Sequence, residues 1–392
     1  MITLAELDRK IGKILPEIRK IRHELHRIPE IAGKEYKTSA LIREKLSDLG
    51  LDMKPPFLGT DVIALLNPEK SGNLTLRADI DALPIEENNE NLPYRSAHPG
   101  MMHACGHDGH AAMLLGAAEI LAGIRGSVPC SVRLLFQPGE EMAALAREVL
   151  KSGALQDPEP DFITGLHNFP DEEYGKINTR PGALMAAAGF FHIILHGKSG
   201  HGSLPKKANN PLECAAEIIA ECGKIVPEDC VLTFCKCAGG NCNNVIPETA
   251  ELLGTIRFFD PARGQKLLSD FENTVRQISE RRKIKCDFSC DVPVIPVINR
   301  TEDFERTRRV ITRDLGDDAF SVLAEPTMIA EDFSWYLQKY RGIFCHLGAG
   351  RSCPLHSNRY DFDDELLAYG IRYFCLMALH GNELFDRIGV KK

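Results

Sequence analysis

The feature that most restricts the fold of this chain is an alternation of apolar, strand-like runs with helical ones. Several of the strand-like runs end in acids or imidazoles. Leu74-Thr75-Leu76-Arg77-Ala78-Asp79-Ile80-Asp81 closes on two carboxylates, Ser131 to Gln137 leads into Glu140-Glu141, and Phe162 to Leu166 leads into His167. Helical segments lie between them: Gly109 to Ala122, with small residues on one face, and a helix ending over Val149 to Ala154. Upstream, Leu4, Leu7, Ile11, Ile14, Leu15, Ile18, Ile21 and Leu25 recur at helical spacing, and Thr38 to Leu49 continues as a second helix. This order predicts an α/β layer architecture around a mostly parallel sheet. Ligand sites of open α/β sheets lie at the carboxyl ends of the strands, which is where these acids and imidazoles fall.

The texture changes after Arg180-Pro181-Gly182. A strand over Gly189 to Gly197, a helix over Pro211 to Ile225, strands over Cys230 to Cys237 and Glu248 to Phe259, a charged helix from Pro261 to about Lys283 and a strand over Ile284 to Asp291 follow in turn. The β-α-β-β-α-β order is the ferredoxin-like one. Pro293 and Pro296 mark the return to α/β texture, with helices from Phe304 to Leu315 and near Glu331 to Leu337, a strand over Gly342 to Leu347 and a closing helix from Asp364 to His380. A chain of 392 residues is long for one average domain. The expected organisation is a discontinuous domain of residues 1–182 and 294–392 with a smaller domain, 183–293, inserted in it.

Charge and apolar content exclude some partners. With a formal charge of −8 and no basic block, the chain repels nucleic acid on average. The cluster Arg281-Arg282-Lys283 reads as the solvated end of a helix. No apolar run reaches the roughly 20 residues that span a bilayer. Met1 to Leu7 begins an amphipathic helix without the apolar core of a signal peptide. The thirteen cysteines, an odd number, do not suggest a disulfide framework, and reduced thiols in a cytoplasmic protein are expected.

Met102-His103-Ala104-Cys105-Gly106-His107-Asp108-Gly109-His110 packs a thiol, three imidazoles and a carboxylate ahead of a helix. Cys-x-His can place both side chains on one ion, although a buried thiol beside solvated histidines is the plain alternative. Adjacent Glu140 and Glu141 point in different directions. One can therefore bind a metal while the other faces a water and serves as general base; a solvated acidic loop is the alternative. His356 follows the turn Gly348-Ala349-Gly350.

Taken together, Arg77-Ala78-Asp79-Ile80-Asp81-Ala82-Leu83-Pro84, Met102 to Asp108, Gln137-Pro138-Gly139-Glu140-Glu141, Gly165-Leu166-His167-Asn168 and Asn244-Val245-Ile246-Pro247 resemble the amidohydrolase branch of the aminoacylase/carboxypeptidase di-metal metallopeptidases. That branch includes hippurate hydrolases, N-acyl-amino-acid deacetylases and auxin-conjugate hydrolases. The resemblance covers nearly the whole chain and implies two divalent ions, zinc or manganese, per subunit. It implies that Cys105 bridges them, that His107 and His167 complete one, and that Glu141 and His356 complete the other. Glu140 would be the general base acting on a metal-bridging water, and Asp81 would orient a ligand histidine. Asp79 is expected to be structural. His201, in Gly197-Lys198-Ser199-Gly200-His201-Gly202, would stabilise the oxyanion in the partner subunit of a homodimer built through the inserted domain.

Asn244 and Arg257 are candidates for holding the substrate carboxylate, since a guanidinium suits that task; an ordinary surface arginine is the alternative. The implied substrate is a small N-acyl amino acid or a dipeptide, with no nucleic acid or membrane partner. A catalytically silent binding protein on the same scaffold is a rival of another class, which the intact acids and imidazoles disfavour. His103, His110, His192 and His196 receive no role beyond packing. Two segments depart from the branch: Met142 to Ala146 favours helix where glycines are usual, and Pro205-Lys206 stands where Pro-His is usual.

Overall fold

The computed structural model describes residues 2–141, 145–350 and 353–385. The chain divides into two compact units: Met1–Gly182 with Ile298–Glu325 and Asp332–Lys392, and Ala183–Val297 with Pro326–Glu331.

The first unit opens with helices α1 (Leu4–Arg27) and α2 (Tyr36–Ser47). Thr3 and Glu6 form a reciprocal capping box at the start of α1. Strands β1 (Asp52–Met53), β2 (Val62–Leu66) and β3 (Asn73–Asp79) follow, then α3 (His107–Gly123), β4 (Ser131–Gln137), α4 (Leu145–Ser152), β5 (Phe162–Phe169) and β6 (Ile177–Thr179).

The second unit comprises β7 (Ala187–His196), α5 (Pro211–Cys222), β8 (Val231–Ala238), β9 (Thr249–Phe258), α6 (Pro261–Arg281) and β10 (Lys285–Val294). The chain then returns through α7 (Thr301–Leu315), β11 (Phe320–Val322), α8 (Ser334–Lys339), β12 (Gly342–Gly348) and α9 (Leu366–Leu379).

Eight strands of the first unit form one sheet in the order β1-β2-β4-β3-β5-β12-β6-β11. The pairs β3/β4, β3/β5, β5/β12 and β6/β11 are parallel. The pairs β1/β2, β2/β4 and β12/β6 are antiparallel. Strands β3, β4, β5 and β12 are buried along their whole length, as expected where both faces of a sheet are covered. Helix α3 packs on α1 and α9 as well as on the sheet. The small residues expected to face the sheet also admit a neighbouring helix: a Cβ on Gly116 would come within 2.6 Å of Ile371 on α9.

The second unit has its own core. Its sheet, β8-β9-β7-β10, is antiparallel throughout. Phe191, Ile193 and Leu195 of β7 and Leu252 and Ile256 of β9 alternate inward, onto Cys214 and Ile218 of α5 and Phe271, Val275 and Ile278 of α6. Pro261 opens α6, and Asp260 caps it by accepting the Arg263 N–H at 2.8 Å. Arg281 and Arg282 stand at the solvated end of α6, as expected, and pair there with Glu217 on α5.

Candidate metal centre

The carboxyl ends of β3, β4 and β5 carry the chemistry, as parallel topology dictates. Past β3, the Asp81 carboxylate takes two partners. Its Oδ1 lies 3.2 Å from His107 Nδ1, which also donates to the Asp81 carbonyl oxygen at 2.9 Å, and its Oδ2 accepts the Glu141 backbone N–H at 2.9 Å. One side chain thus ties the start of α3 to the turn after β4. Between Cys105 and His107 the backbone takes a left-handed turn at Gly106, φ +91°. A Cβ there would lie 2.3 Å from Asn168 Oδ1, so only glycine fits.

The turn after β4 is held from behind by a residue that the sequence reading missed. Buried Glu35, just before α2, accepts the Gly139 N–H at 3.0 Å, the Gly33 N–H at 2.8 Å and the Thr60 hydroxyl at 2.8 Å. Nothing in the local sequence marks it, because Thr60 and Gly139 are distant in the chain. The next turn, around His356, is fixed to the Cys105 loop by the His356 N–H donating to Ala104 O at 2.8 Å. His356 sits at φ +62°, a strained conformation for a residue with a Cβ.

These constraints bring five side chains together. Donor atoms of Cys105, His107 and Glu141 lie within 4.8 Å of one another. Cys105 Sγ is 3.4 Å from His167 Nε2, and Glu141 Oε1 is 3.3 Å from His356 Nε2. All but His356 are largely buried. Hydrogen bonds fix which ring nitrogens are free. His107 uses Nδ1 on Asp81, and His167 uses Nδ1 on Asn168 O at 2.7 Å, leaving each Nε2 turned inward.

His107 Nε2 and Glu141 Oε1 are buried and accept or donate no aligned hydrogen bond. Buried polar atoms without an aligned hydrogen bond are costly unless something binds them. A thiolate, imidazoles and a carboxylate are the ligand set of a borderline divalent cation, so the residues fit a metal.

The electrostatics agree. Burial, then Glu141 and Glu140, push the Cys105 thiol well up. Burial works against the charged form of His107, but Asp79 and Asp81 outweigh it and raise the pKa to about 10. Such a surplus of negative charge in a dry pocket is what a bound cation offsets. Glu140, at the tip of the turn, is almost completely buried; its carboxylate lies within 4.8 Å of that of Asp332, and its charge acts on Cys105.

Asp79, expected to be structural, and His110, expected only to pack, border the proposed ligands. They are fully buried beside His107 and His167. Their signal was only that an acid ended β3 and a third imidazole followed one helical turn after His107. In the second unit, Gly200–His201 pairs with Val245–Ile246, and the Gly202 N–H donates to Asn244 O at 2.8 Å, so His201 and Asn244 are neighbours. Both are exposed, and the His201 ring accepts from the Ser203 hydroxyl side at 2.8 Å. Arg257 is half-buried and turned onto its own sheet, donating to Ile256 O at 2.9 Å and lying 5.5 Å over the Phe190 ring. Residues 142–144, part of the segment expected to be helical, lie outside the described residues; α4 is helical from Leu145.

The family model described as peptidase family M20/M25/M40 matches residues 75–380. The chain belongs to this family. An N-acetyl-L-cysteine deacetylase of Bacillus subtilis is 36% identical over 356 residues, covering 88% of this chain and 84% of the relative. A thermostable carboxypeptidase of Saccharolobus solfataricus is 33% identical, covering 97% and 99%. Among solved structures, a dinuclear metal-binding M20 peptidase from Bacillus subtilis superposes with a TM-score of 0.83 at 31% identity, covering 94% of this chain and 98% of that one. This M20 protein is therefore a metal-dependent hydrolase of amide bonds with the mixed, mostly parallel α/β fold of the family.

Proposed function

We propose that the enzyme hydrolyses the amide bond of N-acyl amino acids, such as N-acetyl or N-benzoyl derivatives, releasing a carboxylate and a free amino acid. The observation that carries this reading is the convergence of Cys105, His107, Glu141, His167 and His356, with the buried His107 Nε2 left without a hydrogen bond and a second carboxylate, Glu140, next in sequence to Glu141. Two divalent ions, zinc or manganese, would polarise an amide carbonyl and acidify a water. Cys105 would be shared between them, His107 and His167 would complete one set, and Glu141 and His356 the other. Glu140 takes the proton of the attacking water and returns it to the leaving amine. Asp81 keeps the His107 lone pair and the Glu141 backbone in place.

The second unit supplies the rest as an inserted lid and dimerisation domain. His201 donates to the oxyanion of a partner subunit's site. Asn244 and Arg257 hold the free carboxylate of the substrate, Arg257 by leaving its present backbone acceptor. Strand β8 is an edge of the second unit's sheet, with an open ladder that a second copy can cover. The thirteen free thiols suit a reducing cytoplasm. A dipeptidase or carboxypeptidase of the same chemistry is the second reading, favoured by the carboxypeptidase among the relatives. The deciding experiment strips the protein with chelator, reloads it with zinc or manganese, and assays a panel of N-acetyl and N-benzoyl amino acids beside dipeptides. Metal-restored turnover of the N-acyl substrates is expected to exceed that of the dipeptides. A preference for dipeptides would establish the second reading, and no turnover of any substrate would leave a binding protein.

A further inference from the structure

Asp79 and His110 lie among the metal-type side chains but have no task in the chemistry above. Donor atoms of Asp79, His107, His110 and His167 all fall within 4.8 Å of one another. The set is nevertheless not a further ion site, because both nitrogens of His110 are committed. Its Nδ1–H donates to Asp79 Oδ1 at 2.6 Å. Its Nε2 lies 2.6 Å from Asn168 Oδ1 and 3.1 Å from the Asn168 backbone nitrogen. The bonds continue outward: Arg77 donates to Asp79 Oδ2 at 2.7 Å, and the Asn168 amide meets the Tyr360 hydroxyl at 2.6 Å.

What His110 does touch is the pair of imidazoles assigned to one ion. Its ring stands edge-on to His167, centroids 4.5 Å apart, and tilted against His107 at 5.5 Å. Those two rings are perpendicular to each other at 5.7 Å. An imidazole's χ2 well is broad, so a single hydrogen bond at Nδ1 leaves its lone pair free to swing. His167 has its Nδ1 bond only to the carbonyl of the next residue, Asn168, which also holds His110.

We propose that His110, clamped by Asp79 and Asn168, is a positioning residue that wedges the His107 and His167 rings at the angle needed to share one ion. The proposal rests on the metal-centre reading above. Among the described residues, no hydrogen bond ties His110 or Asp79 to Glu141 or His356, so the second ion does not depend on the wedge.

The test uses the full chain with Asp79→Asn and, separately, His110→Gln, both close in volume to the original residue. Each is equilibrated with Zn²⁺ and a competing chelator, and bound metal is read by elemental analysis. Outer-shell partners of metal ligands typically contribute about 10–100-fold in affinity. One ion per subunit is expected to weaken by that factor while the other is retained. Circular dichroism and the metal-free melting temperature should match the wild type. On Co²⁺ loading, the thiolate charge-transfer band should persist, since Cys105 still holds the remaining ion. Two ions bound as tightly as in the wild type would overturn the proposal. So would loss of both in step with a lowered melting temperature, or failure of both variants to fold, because the pair would then be ordinary core. A wild-type protein that binds no divalent ion sinks the metal-centre reading itself.

Discussion

Glu140 and Glu141 are chemically identical neighbours with different surroundings. Glu141 has its backbone held by Asp81 and its carboxylate turned to Cys105, His107 and His356; burial opposes its charge, but His356 and His107 outweigh burial and lower its pKa. That leaves Glu140 for the proton. Glu140→Gln should keep both ions, by elemental analysis, and lose about 10²–10⁴-fold in kcat, the usual contribution of a general acid–base group. A variant with near wild-type kcat removes Glu140 from the mechanism. The proposed ligands were conspicuous in the sequence because metals demand particular donors: Glu140-Glu141 follow β4, His167 lies near the end of β5, and Cys105 and His107 stand together at the start of α3. Glu35, Asp79 and His110 were not legible as site residues. Their roles come from partners far along the chain, such as Gly139 for Glu35 and Asn168 for His110, and no local spacing encodes those meetings.

At the scale of elements, the start of α3 is pinned by a buried ion pair. Arg22 of α1, fully buried, donates to Asp108 Oδ2 at 2.8 Å, and His26 lies 2.8 Å from the same oxygen. Asp108 directly follows His107, so α1 fixes the turn from which the ligands project. Burial opposes the Asp108 charge, but Arg22 and then His26 overcome it and hold the carboxyl far below the ordinary range. Arg22→Met leaves that buried charge with only His26 beside it, and removing one partner of a buried pair typically costs about 3–5 kcal/mol; urea melts of the metal-free protein should show the loss. The sign of the pH dependence follows. A depressed carboxylate pKa gives stability that is complete above the unfolded value, about 3.9, and is lost as pH falls below it. The wild type should therefore lose its advantage over Arg22→Met in acid, and an advantage constant down to pH 2 would refute the pairing. Periodicity revealed α1 and α3 from sequence, but not this bond. The same limit applies to α8, which was expected near Glu331 and begins only at Ser334. The Asp332 carboxylate is already engaged with Gln137 Nε2 at 2.9 Å and the Ala146 N–H at 2.9 Å, which holds the chain in place before the helix.

For the whole molecule, the proposal of a homodimer with shared sites makes a sharp prediction. Glu140→Gln and His201→Ala homodimers should each be nearly inactive. Heterodimers of the two, confirmed by a mass or tag label, should recover activity, because one site then combines an intact Glu140 with an intact His201. Confirmed heterodimers no more active than their parents would place His201 in its own chain's site or in none, and an active monomer in light scattering would end the shared-site idea. The alternation of strands and helices made the layer architecture readable, since each apolar run had to find a covered sheet. The strand order was not readable, because β12 lies far along the chain from the strands it joins.

That order has a consequence for synthesis. Strand β12 sits between β5 and β6, and β6 has only β12 and β11 as sheet partners. A ribosome delivers β5 and β6 first, then all of β7 to β10, and only afterwards the strand that joins them. The second unit can close its sheet from one continuous stretch of chain while the first still exposes an unfinished parallel edge at β5. Open strand edges on half-made domains are where chains stick to one another. The nascent chain is therefore most exposed to aggregation late, when the smaller unit has already folded and the turn at His356 has yet to emerge.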